Sequence, residues 1–402
     1  MSARDLSAAS PGLCDDLVGG PDTLGLDRQA EPFARLIMDA RTRAPLCLGV
    51  LGPSGAGKST FMARLWAMAE ALAGEPDQHG DVVRVPFNAW RNAGGQPGAA
   101  LLARVADAVR RHGAPAKEST TAPAAWTDLD ALLAGEGAPG RVVLLVDDLD
   151  RCPPAAVVEV LETIHLHLAL DRLAVVLAAD ARWLLRALAV HHHQLLEGAD
   201  EAYRDAVLYG QLEKVFQLTY ALAPMAPAAF ARHVERLADP DDEEAPAPAP
   251  VDATGVVTVT APEREFLASL LPLLDTPRAA GRAVNAHRLI KSRAREVPFE
   301  DRARPVLLLL ALLFGRRRQA EELLRRLHQK EPPFQTPKLQ LHMAIKNLAQ
   351  AEGQEPEVHD GWIELGRLVE RLAGDLLVEQ CTCEAGEVAR HALVTGQICH
   401  RW

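Results

Sequence analysis

The sequence predicts an α/β fold in which a doubly wound, mostly parallel sheet is followed by a helical lid and a helical C-terminal region. Two observations predict this class. In the first part of the chain, short apolar runs alternate with segments of helical spacing, which is the pattern of parallel strands joined by helices. Beyond Ala261 the segments have helical spacing only. The candidate functional residues are therefore expected in the sheet domain.

The predicted elements follow one another in a regular order. The expected strands are 45–52, 81–87, 141–148, 172–180 and 213–222. The expected helices are 27–42, one from Lys58, 98–111, 153–170 and one ending near Leu196. Proline at the start of the fourth helix suits a first helical turn. An acidic, Pro/Ala-rich stretch near 239–261 predicts a flexible insertion.

Charge and composition exclude several classes of protein. The net charge of −11 argues against a protein whose main ligand is a nucleic acid backbone. The basic stretch Phe314–Lys330 is expected to be a solvated helix face. No window reaches the roughly 18 apolar residues of a membrane helix, and Pro305–Gly315 predicts a buried helix instead. Six scattered cysteines after a polar N-terminus indicate reduced thiols and a cytoplasmic protein.

The strongest motif is GPSGAGKST, which lies between a predicted strand and a predicted helix and fits the pattern G-x-x-x-x-G-K-[ST]. Glycines allow backbone N–H groups to curl around phosphate oxygens, and the helix that follows points its positive dipole end at the same anion. Lys58 is expected to reach the β- and γ-phosphates, and Ser59 to ligate Mg²⁺. The candidate phosphate-binding residues are Gly52, Pro53, Ser54, Gly55, Ala56, Gly57, Lys58, Ser59 and Thr60.

Three aspartates crowd the end of the third predicted strand, in the stretch VDDLDR. A phosphate loop needs an acid at the tip of a neighbouring strand to hold Mg²⁺, and Asp147 is placed for that role, directly or through water. Asp148 is expected to act as the general base that polarises the attacking water. Asp150 is expected to cap the next helix or to pair with Arg151. The sequence therefore predicts binding of ATP and Mg²⁺.

The order of these motifs narrows the class further. One predicted strand, 81–87, lies between the phosphate loop and the acids, which is the pattern of additional-strand NTPases. The chain has no N-K-x-D motif, so ATP is favoured over GTP. It has no L-S-G-G-Q signature, which argues against the ATPase of an ABC transporter.

Several segments together resemble the KAP family of P-loop NTPases. The matching segments are PDTLGLDRQAEPFARLI, VPFNAWRN, LLVDDLDRCPP, VVLAADARWL, GQLEKVFQLTYALAP and TPRAAGRAVNAHRLIK, in the order of the family. Residues 1–26 are rich in Gly, Ser, Pro and Asp, which predicts an irregular segment, and helical spacing predicts a helical C-terminal region 299–402. The resemblance implies a KAP-type domain 27–298. Ser54 stands where the family often has tryptophan, and the membrane helices that many members insert into this domain are not predicted here.

The resemblance also implies roles beyond the phosphate loop. Some bacterial members act in phage exclusion or related conflicts, so a switch that a protein partner reads is expected. In related ATPases an arginine after the core senses the γ-phosphate, and Arg278 is the candidate here, with Arg282 second. The alternative is that both are surface arginines paired with acids. Asn88 and Trp90 are expected near the mouth of the site, although Trp90 could equally lie in the core.

The remaining sequence features are weaker evidence for a functional site. The run HHHQ from His191 and the CTC motif with Cys399 and His400 match no common metal-site spacing. Lys214 is expected to be structural. Apolar residues at helical spacing in Trp362–Leu377 indicate core packing or a surface for a partner or a second copy.

These observations predict an ATPase that couples magnesium-dependent hydrolysis to a conformational switch, with a protein partner or self-association through the helical C-terminal region. The alternative function is a nucleotide-gated scaffold that hydrolyses slowly or not at all. A motor stimulated by nucleic acid is disfavoured by the acidic balance.

Overall fold

The computed structural model describes residues 21–43, 45–73, 80–113, 127–135, 137–167, 170–238, 258–293, 299–349 and 356–390. Most of the predicted insertion 239–261 lies outside these ranges. The chain divides into two units between Ala223 and Pro224. Each unit has its own core, and each is described by itself.

The first unit is built on five parallel strands with the order β2-β3-β4-β1-β5. The strands are β1 (Leu46–Leu51), β2 (Val82–Asn88), β3 (Arg141–Asp147), β4 (Leu173–Ala179) and β5 (Leu218–Ala221). The three central strands are almost fully buried, as expected for strands that are covered on both faces. The predicted doubly wound α/β class is confirmed.

Helices connect the strands of the first unit. They are α1 (Leu26–Met38), α2 (Lys58–Leu72), α3 (Ala89–Asn92), α4 (Pro97–Gly113), α5 (Thr127–Ala134), α6 (Pro154–His167), α7 (Ala181–His191), α8 (His193–Leu196) and α9 (Glu201–Val215). A single 3₁₀ turn, Leu149–Arg151, joins β3 to α6.

Successive residues of β3 belong to two different cores. Val142 and Leu144 pack in the core that contains α4 and α6, whereas Val143 and Leu145 pack in the core that contains α1 and α2. This alternation follows from the period of two in a strand. It places helices on both faces of the sheet and brings the carboxyl ends of the strands to one edge.

The predicted fifth strand, 213–222, is partly wrong. Its first residues, Glu213 to Val215, complete α9, and the strand begins only at Leu218. The N–H groups of Phe216 and Gln217 bond respectively to Leu212 O in the helix and to Cys47 O on β1, so the chain changes partner there. A helix end and a strand start contain the same apolar residue types, and the sequence pattern does not separate them.

The second unit is helical. Its helices are α10 (Pro227–Ala238), α11 (Ala261–Ser269), α12 (Pro277–Arg293), α13 (Glu300–Gly315), α14 (Arg317–Gln329), α15 (Leu341–Leu348), α16 (Pro356–Ala373) and α17 (Val378–Ala389). Helix α13 is buried along its apolar run, as expected for Pro305–Gly315. The sequence-based boundary between 298 and 299 falls inside this unit, because α12 and α13 share one continuous core. The structure divides the chain at 223/224 instead.

The described helices include none that combines the length and the apolar character that a membrane crossing requires. In α16, the residues Leu365, Leu368 and Val369 are buried in the core of the second unit. The apolar residues of Trp362–Leu377 are therefore core residues rather than an open surface for a partner.

The basic stretch Phe314–Lys330 is neutralised within its own unit. Arg317 pairs with Glu321, and Glu322 pairs with both Arg325 and Arg326. The expected solvated helix face is confirmed.

Candidate functional site

The phosphate loop connects β1 to α2 at the carboxyl edge of the sheet. Gly55 has φ +85° and Gly57 has φ +97°, which is the left-handed region that residues with a Cβ rarely adopt. The N–H of Gly52 bonds to Ala179 O on β4, at 3.2 Å, and anchors the start of the loop to the central sheet. Helix α2 begins at Lys58 directly after Gly57, so its unpaired N–H groups face the loop.

Lys58 is turned back over the loop. Its Nζ donates to Gly52 O at 2.9 Å and to Pro53 O at 3.1 Å. The same Nζ lies 3.1 Å from Oδ2 of Asp150, and only 8% of the lysine side chain is exposed. The expected partner of Asp150 is therefore wrong: this acid pairs with Lys58 and not with Arg151.

Ser59 and Asp147, which are 88 positions apart in sequence, meet at the tip of β3. The Ser59 hydroxyl donates to Asp147 Oδ2 at 2.6 Å, and Asp147 Oδ1 accepts the N–H of Asp148 at 2.8 Å. A hydroxyl and a carboxylate are the ligand types that Mg²⁺ prefers, so the two residues predicted as metal ligands fit that ion.

Asp148 is held by two side chains. Asn88 Nδ2 donates to its Oδ2 at 2.6 Å, and Arg151 Nε lies 2.9 Å from its Oδ1. Asp148 has φ +58°, which turns its backbone away from the line of β3. Asn88 comes from the end of β2, so neighbouring strands supply the acid and the amide.

The environment of the three acids affects a neighbouring thiol. Burial, together with the charges of Asp148 and Asp150, raises the pKa of Cys152 to about 11. The neutral thiol lies 3.5 Å from Asp148 O, to which it donates. Cys152 is therefore a structural thiol and not a nucleophile at neutral pH.

Trp90 lies at the mouth of the site and not in the core. Its side chain is 55% exposed, and the guanidinium of Arg151 lies 5.6 Å from its ring centroid. The sequence predicted the mouth of the site and the core equally for this tryptophan. Its contact with Arg151 connects it to Asp148 through one intermediate residue.

Asp180 lies at the end of β4, in the segment VVLAADARWL, and caps α7 through the N–H of Arg182. Burial opposes ionisation of this carboxyl, but hydrogen bonds from Arg182 and the charges of Arg182 and Lys58 outweigh it and lower its pKa. Asp180 therefore adds a fixed negative charge to the electrostatic surroundings of Lys58.

The remaining candidates are Arg278, Arg282 and Lys214. Arg278 is in the first turn of α12, in the second unit, and its predicted role stays a prediction. Arg282 lies 4.5 Å above the Phe314 ring, which is a packing contact. The Nζ of Lys214 lies 3.4 Å from Gln211 Oε1 on the same helix.

No group of three or more His, Cys, Asp or Glu side chains able to hold a metal occurs within the described ranges. Cys399 and His400 lie outside those ranges. Cys381 is buried and Cys383 is exposed, and both are free thiols.

In the sheet order β2-β3-β4-β1-β5, strand β4 lies between β1, which precedes the phosphate loop, and β3, which ends in the acids. The family model of the KAP family P-loop domain matches residues 100–293. This part of the chain is similar to the KAP family P-loop domain. The KAP match includes β3 with its three aspartates, and the phosphate loop precedes it in the same sheet. The resemblance stated from sequence is confirmed.

Comparisons with other proteins give more distant likenesses. No curated protein matches the chain. The ORC2 protein of Aeropyrum pernix, solved in ADPNP–ADP complexes, is 15% identical with a TM-score of 0.43, over 95% of this chain and 98% of that chain. RuvB of Thermotoga maritima, in a mutant form, is 15% identical with a TM-score of 0.35, over 88% of each chain. PCH-2 of C. elegans is 13% identical with a TM-score of 0.32, over 73% of this chain and 67% of that chain.

Proposed function

We propose that this KAP-type protein is a magnesium-dependent ATPase that works as a conformational switch. The observation that carries the proposal is the meeting of Ser59 with Asp147 beside Lys58. The pair supplies a hydroxyl and a carboxylate for Mg²⁺, and the loop supplies backbone N–H groups and an ammonium for phosphates. When bound, Mg²⁺ would neutralise charge on the phosphate oxygens.

Each candidate residue has a role in this proposal. Lys58 binds the β- and γ-phosphates, and the loop 52–60 surrounds them. Asp148 accepts the proton of the attacking water, for which a typical contribution is about 10²–10⁴-fold in rate. Arg278 is proposed to stabilise the transferred charge, either in its own subunit or in a neighbour.

The partner and the setting are also proposals. A protein partner or self-association through the helical C-terminal region is proposed, and the KAP resemblance favours a bacterial conflict, phage-defence or signalling assembly as the setting. Cys47, Cys152 and Cys381 are buried free thiols, which suits a reducing, cytoplasmic compartment. The net charge of −11 supports a protein rather than a nucleic acid as the main macromolecular partner.

One observation favours the alternative function of a slow or non-hydrolysing scaffold. Both carboxylate oxygens of Asp148 already have partners, Asn88 and Arg151. These partners use one acceptor position on each oxygen and fix the carboxylate in place, so an attacking water would have to reach the remaining positions. A state that binds nucleotide and waits for an activator would have this arrangement.

Steady-state ATP hydrolysis separates the two functions. We would compare the wild type with Lys58→Ala and Asp148→Asn over a series of protein concentrations. Matched controls are Lys214→Ala and Asp205→Asn, which change exposed residues of α9. Turnover that is lost in both site variants and kept in both controls supports the ATPase. A specific activity that rises with concentration supports a site completed by self-association. Nucleotide binding without turnover supports the scaffold, and absence of both overturns the proposal.

A further inference from the structure

A cavity of about 520 Å³ lies along the edge strand β2, beside the candidate magnesium ligands. Ser59 and Asp147 form one part of its wall, and Asn88 lies on it as well. The side chains of three arginines also line it: Arg84 on β2, Arg91 on α3 and Arg104 on α4. The roles proposed above use none of these arginines.

The cavity is longer than a site for one terminal phosphate. Arg84 precedes Asn88 by four residues on β2, so their Cα atoms are roughly 13 Å apart along the strand. Because the interval is even, both side chains project from the same face of the strand. A ligand that occupies the cavity would therefore extend from the magnesium ligands to a separate positively charged region.

Among the described residues, the three guanidinium groups differ from six other arginines of their unit in having no carboxylate partner. Several others pair with carboxylates: Arg35 with Glu31, Arg41 with Asp39, Arg64 with Asp27, Arg111 with Asp107, Arg151 with Asp148 and Arg182 with Asp180. Within the part of the chain that the structure describes, Arg84, Arg91 and Arg104 form no ion pair. The chain carries 54 acidic and 43 basic residues, so acids to pair with them are not scarce.

The acid that lines the cavity does not neutralise these arginines. Asp147 is bonded to the Ser59 hydroxyl and to the N–H of Asp148. The guanidinium of Arg84 is held 5.7 Å from the Trp66 ring centroid, in a cation–π contact that fixes its position without removing its charge. The three arginines that line the cavity carry like charges, and a bound anion would offset their mutual repulsion.

We propose that this cavity binds a phosphate-bearing small molecule in addition to the nucleotide on the phosphate loop. Guanidinium groups bind phosphate through paired N–H donors, and Asn88 and Asn92 add neutral donors in the same wall. A volume of about 520 Å³ holds a phosphorylated molecule of metabolite size rather than inorganic phosphate alone. Since the cavity shares Ser59 and Asp147 with the proposed magnesium site, its occupant would influence turnover directly.

Calorimetric titration of the full chain tests this inference, with inorganic pyrophosphate as the probe. AMPPNP with excess Mg²⁺ is titrated first to fill the phosphate loop, and pyrophosphate is then added. We expect one further site whose Kd rises at least about tenfold in the Arg84→Gln/Arg104→Gln double variant, because two guanidinium partners are lost. Arg186→Gln, which removes an exposed arginine of α7 outside the cavity, should leave both affinities unchanged.

The titrations keep this inference separate from the proposed function. AMPPNP binding without pyrophosphate binding, or pyrophosphate binding that the double variant leaves intact, overturns the cavity site alone. Pyrophosphate binding that needs the two arginines supports the cavity even where AMPPNP fails to bind, and the ATPase proposal then fails by itself. Citrate provides a carboxylate anion of comparable charge. Citrate binding as tight as that of pyrophosphate would overturn the assignment to phosphate ligands.

Discussion

Lys58 Nζ lies 3.1 Å from Asp150 Oδ2, and the same ammonium donates to the carbonyls of Gly52 and Pro53. Within the protein, Lys58 therefore makes two hydrogen bonds and one ion pair. A phosphate that binds Lys58 has to compete with these partners. Asp150 competes with the nucleotide for the lysine, and it also places a negative charge beside the phosphate loop.

Asp150→Asn is accordingly expected to tighten nucleotide binding. Removing the competing charge should lower the Kd of AMPPNP by about 3- to 10-fold, which corresponds to roughly 0.7–1.4 kcal/mol. Calorimetric titration of AMPPNP in the presence of Mg²⁺ measures this Kd. Asp205→Asn, which changes an exposed acid of α9, serves as the control. Weaker binding by Asp150→Asn would show that the ion pair positions Lys58 instead of restraining it.

Ser59→Ala is expected to change the magnesium requirement more than nucleotide affinity. The hydroxyl that donates to Asp147 at 2.6 Å is the proposed ligand, and alanine removes it with little change in volume. The Mg²⁺ concentration for half-maximal turnover should rise about tenfold, since one of the proposed ligands is lost. Ser292→Ala, whose hydroxyl bonds to Leu289 O on α12, is the control. An unchanged magnesium dependence would remove Ser59 from the proposed metal site.

Asn88→Ala tests how Asp148 is positioned. The amide of Asn88 holds Asp148 Oδ2 at 2.6 Å, so alanine leaves the general base held by Arg151 alone. If the amide orients the base, kcat should fall about tenfold with KM nearly constant, because only the chemical step is affected. Gln194→Ala, an exposed amide on α8, should behave as wild type. A rise in kcat would instead show that Asn88 restrains Asp148, as the scaffold function implies.

Arg278→Ala tests the proposed charge-stabilising role of this arginine. An arginine that stabilises transferred charge is typically worth about 10³–10⁵ in rate, so turnover should fall below detection. Mixing Arg278→Ala with Lys58→Ala, each inactive alone, restores activity only where the arginine acts on a neighbouring subunit. Arg232→Ala, which removes an exposed arginine of α10 in the same unit, is the matched control. Normal turnover by Arg278→Ala would show that this arginine has no role in catalysis, as expected for a surface arginine paired with acids.

The lowered pKa of Glu263 should make the stability of the second unit depend on pH. Burial opposes ionisation of its carboxyl, but His287, Lys291 and the N–H of Thr260 outweigh that effect and lower its pKa to about 2. A lowered pKa stabilises the folded state above the ordinary value of 4.5, and this contribution is lost as the pH falls from 4.5 towards 2.

Glu263→Gln should lower the free energy of unfolding at pH 7 by about 1–3 kcal/mol, because the buried charged hydrogen bonds are lost. The difference from wild type should shrink as the pH falls below 4.5, the ordinary pKa of this group. Urea denaturation followed by circular dichroism measures both effects. Glu265→Gln, an exposed acid on the same helix, is the control. A difference that stays constant with pH would contradict the ionised state of Glu263.

Local patterns were enough to predict most of the sheet and the phosphate loop. Strands β1, β3 and β4 are buried on both faces, so they read as continuous apolar runs. The glycines and Lys58 identify the loop because phosphate binding requires these residue types at this spacing. The end of α9 and the start of β5 were not separable, since Val215 and Phe216 suit a helix and a strand equally.

The partners of the site residues could not be predicted in the same way. Asp150 has Arg151 as its neighbour in sequence, yet it pairs with Lys58, 92 positions away. The acid that pairs with Arg151 is Asp148, because the 3₁₀ turn Leu149–Arg151 brings the ends of that turn together. The arginine cavity was missed too, since Arg84, Arg91 and Arg104 show no pattern along the chain.

The sequence by itself determined the class of this protein, the phosphate loop and the acids that end β3. These depend on residue types at short spacing, which act through backbone conformation and the burial of apolar runs. Only the tertiary structure decided which acid pairs with Lys58, that Asn88 holds Asp148, and that three arginines share one cavity. Such contacts arise when parallel strands end at a common edge, and strand order brings together side chains that are distant in sequence.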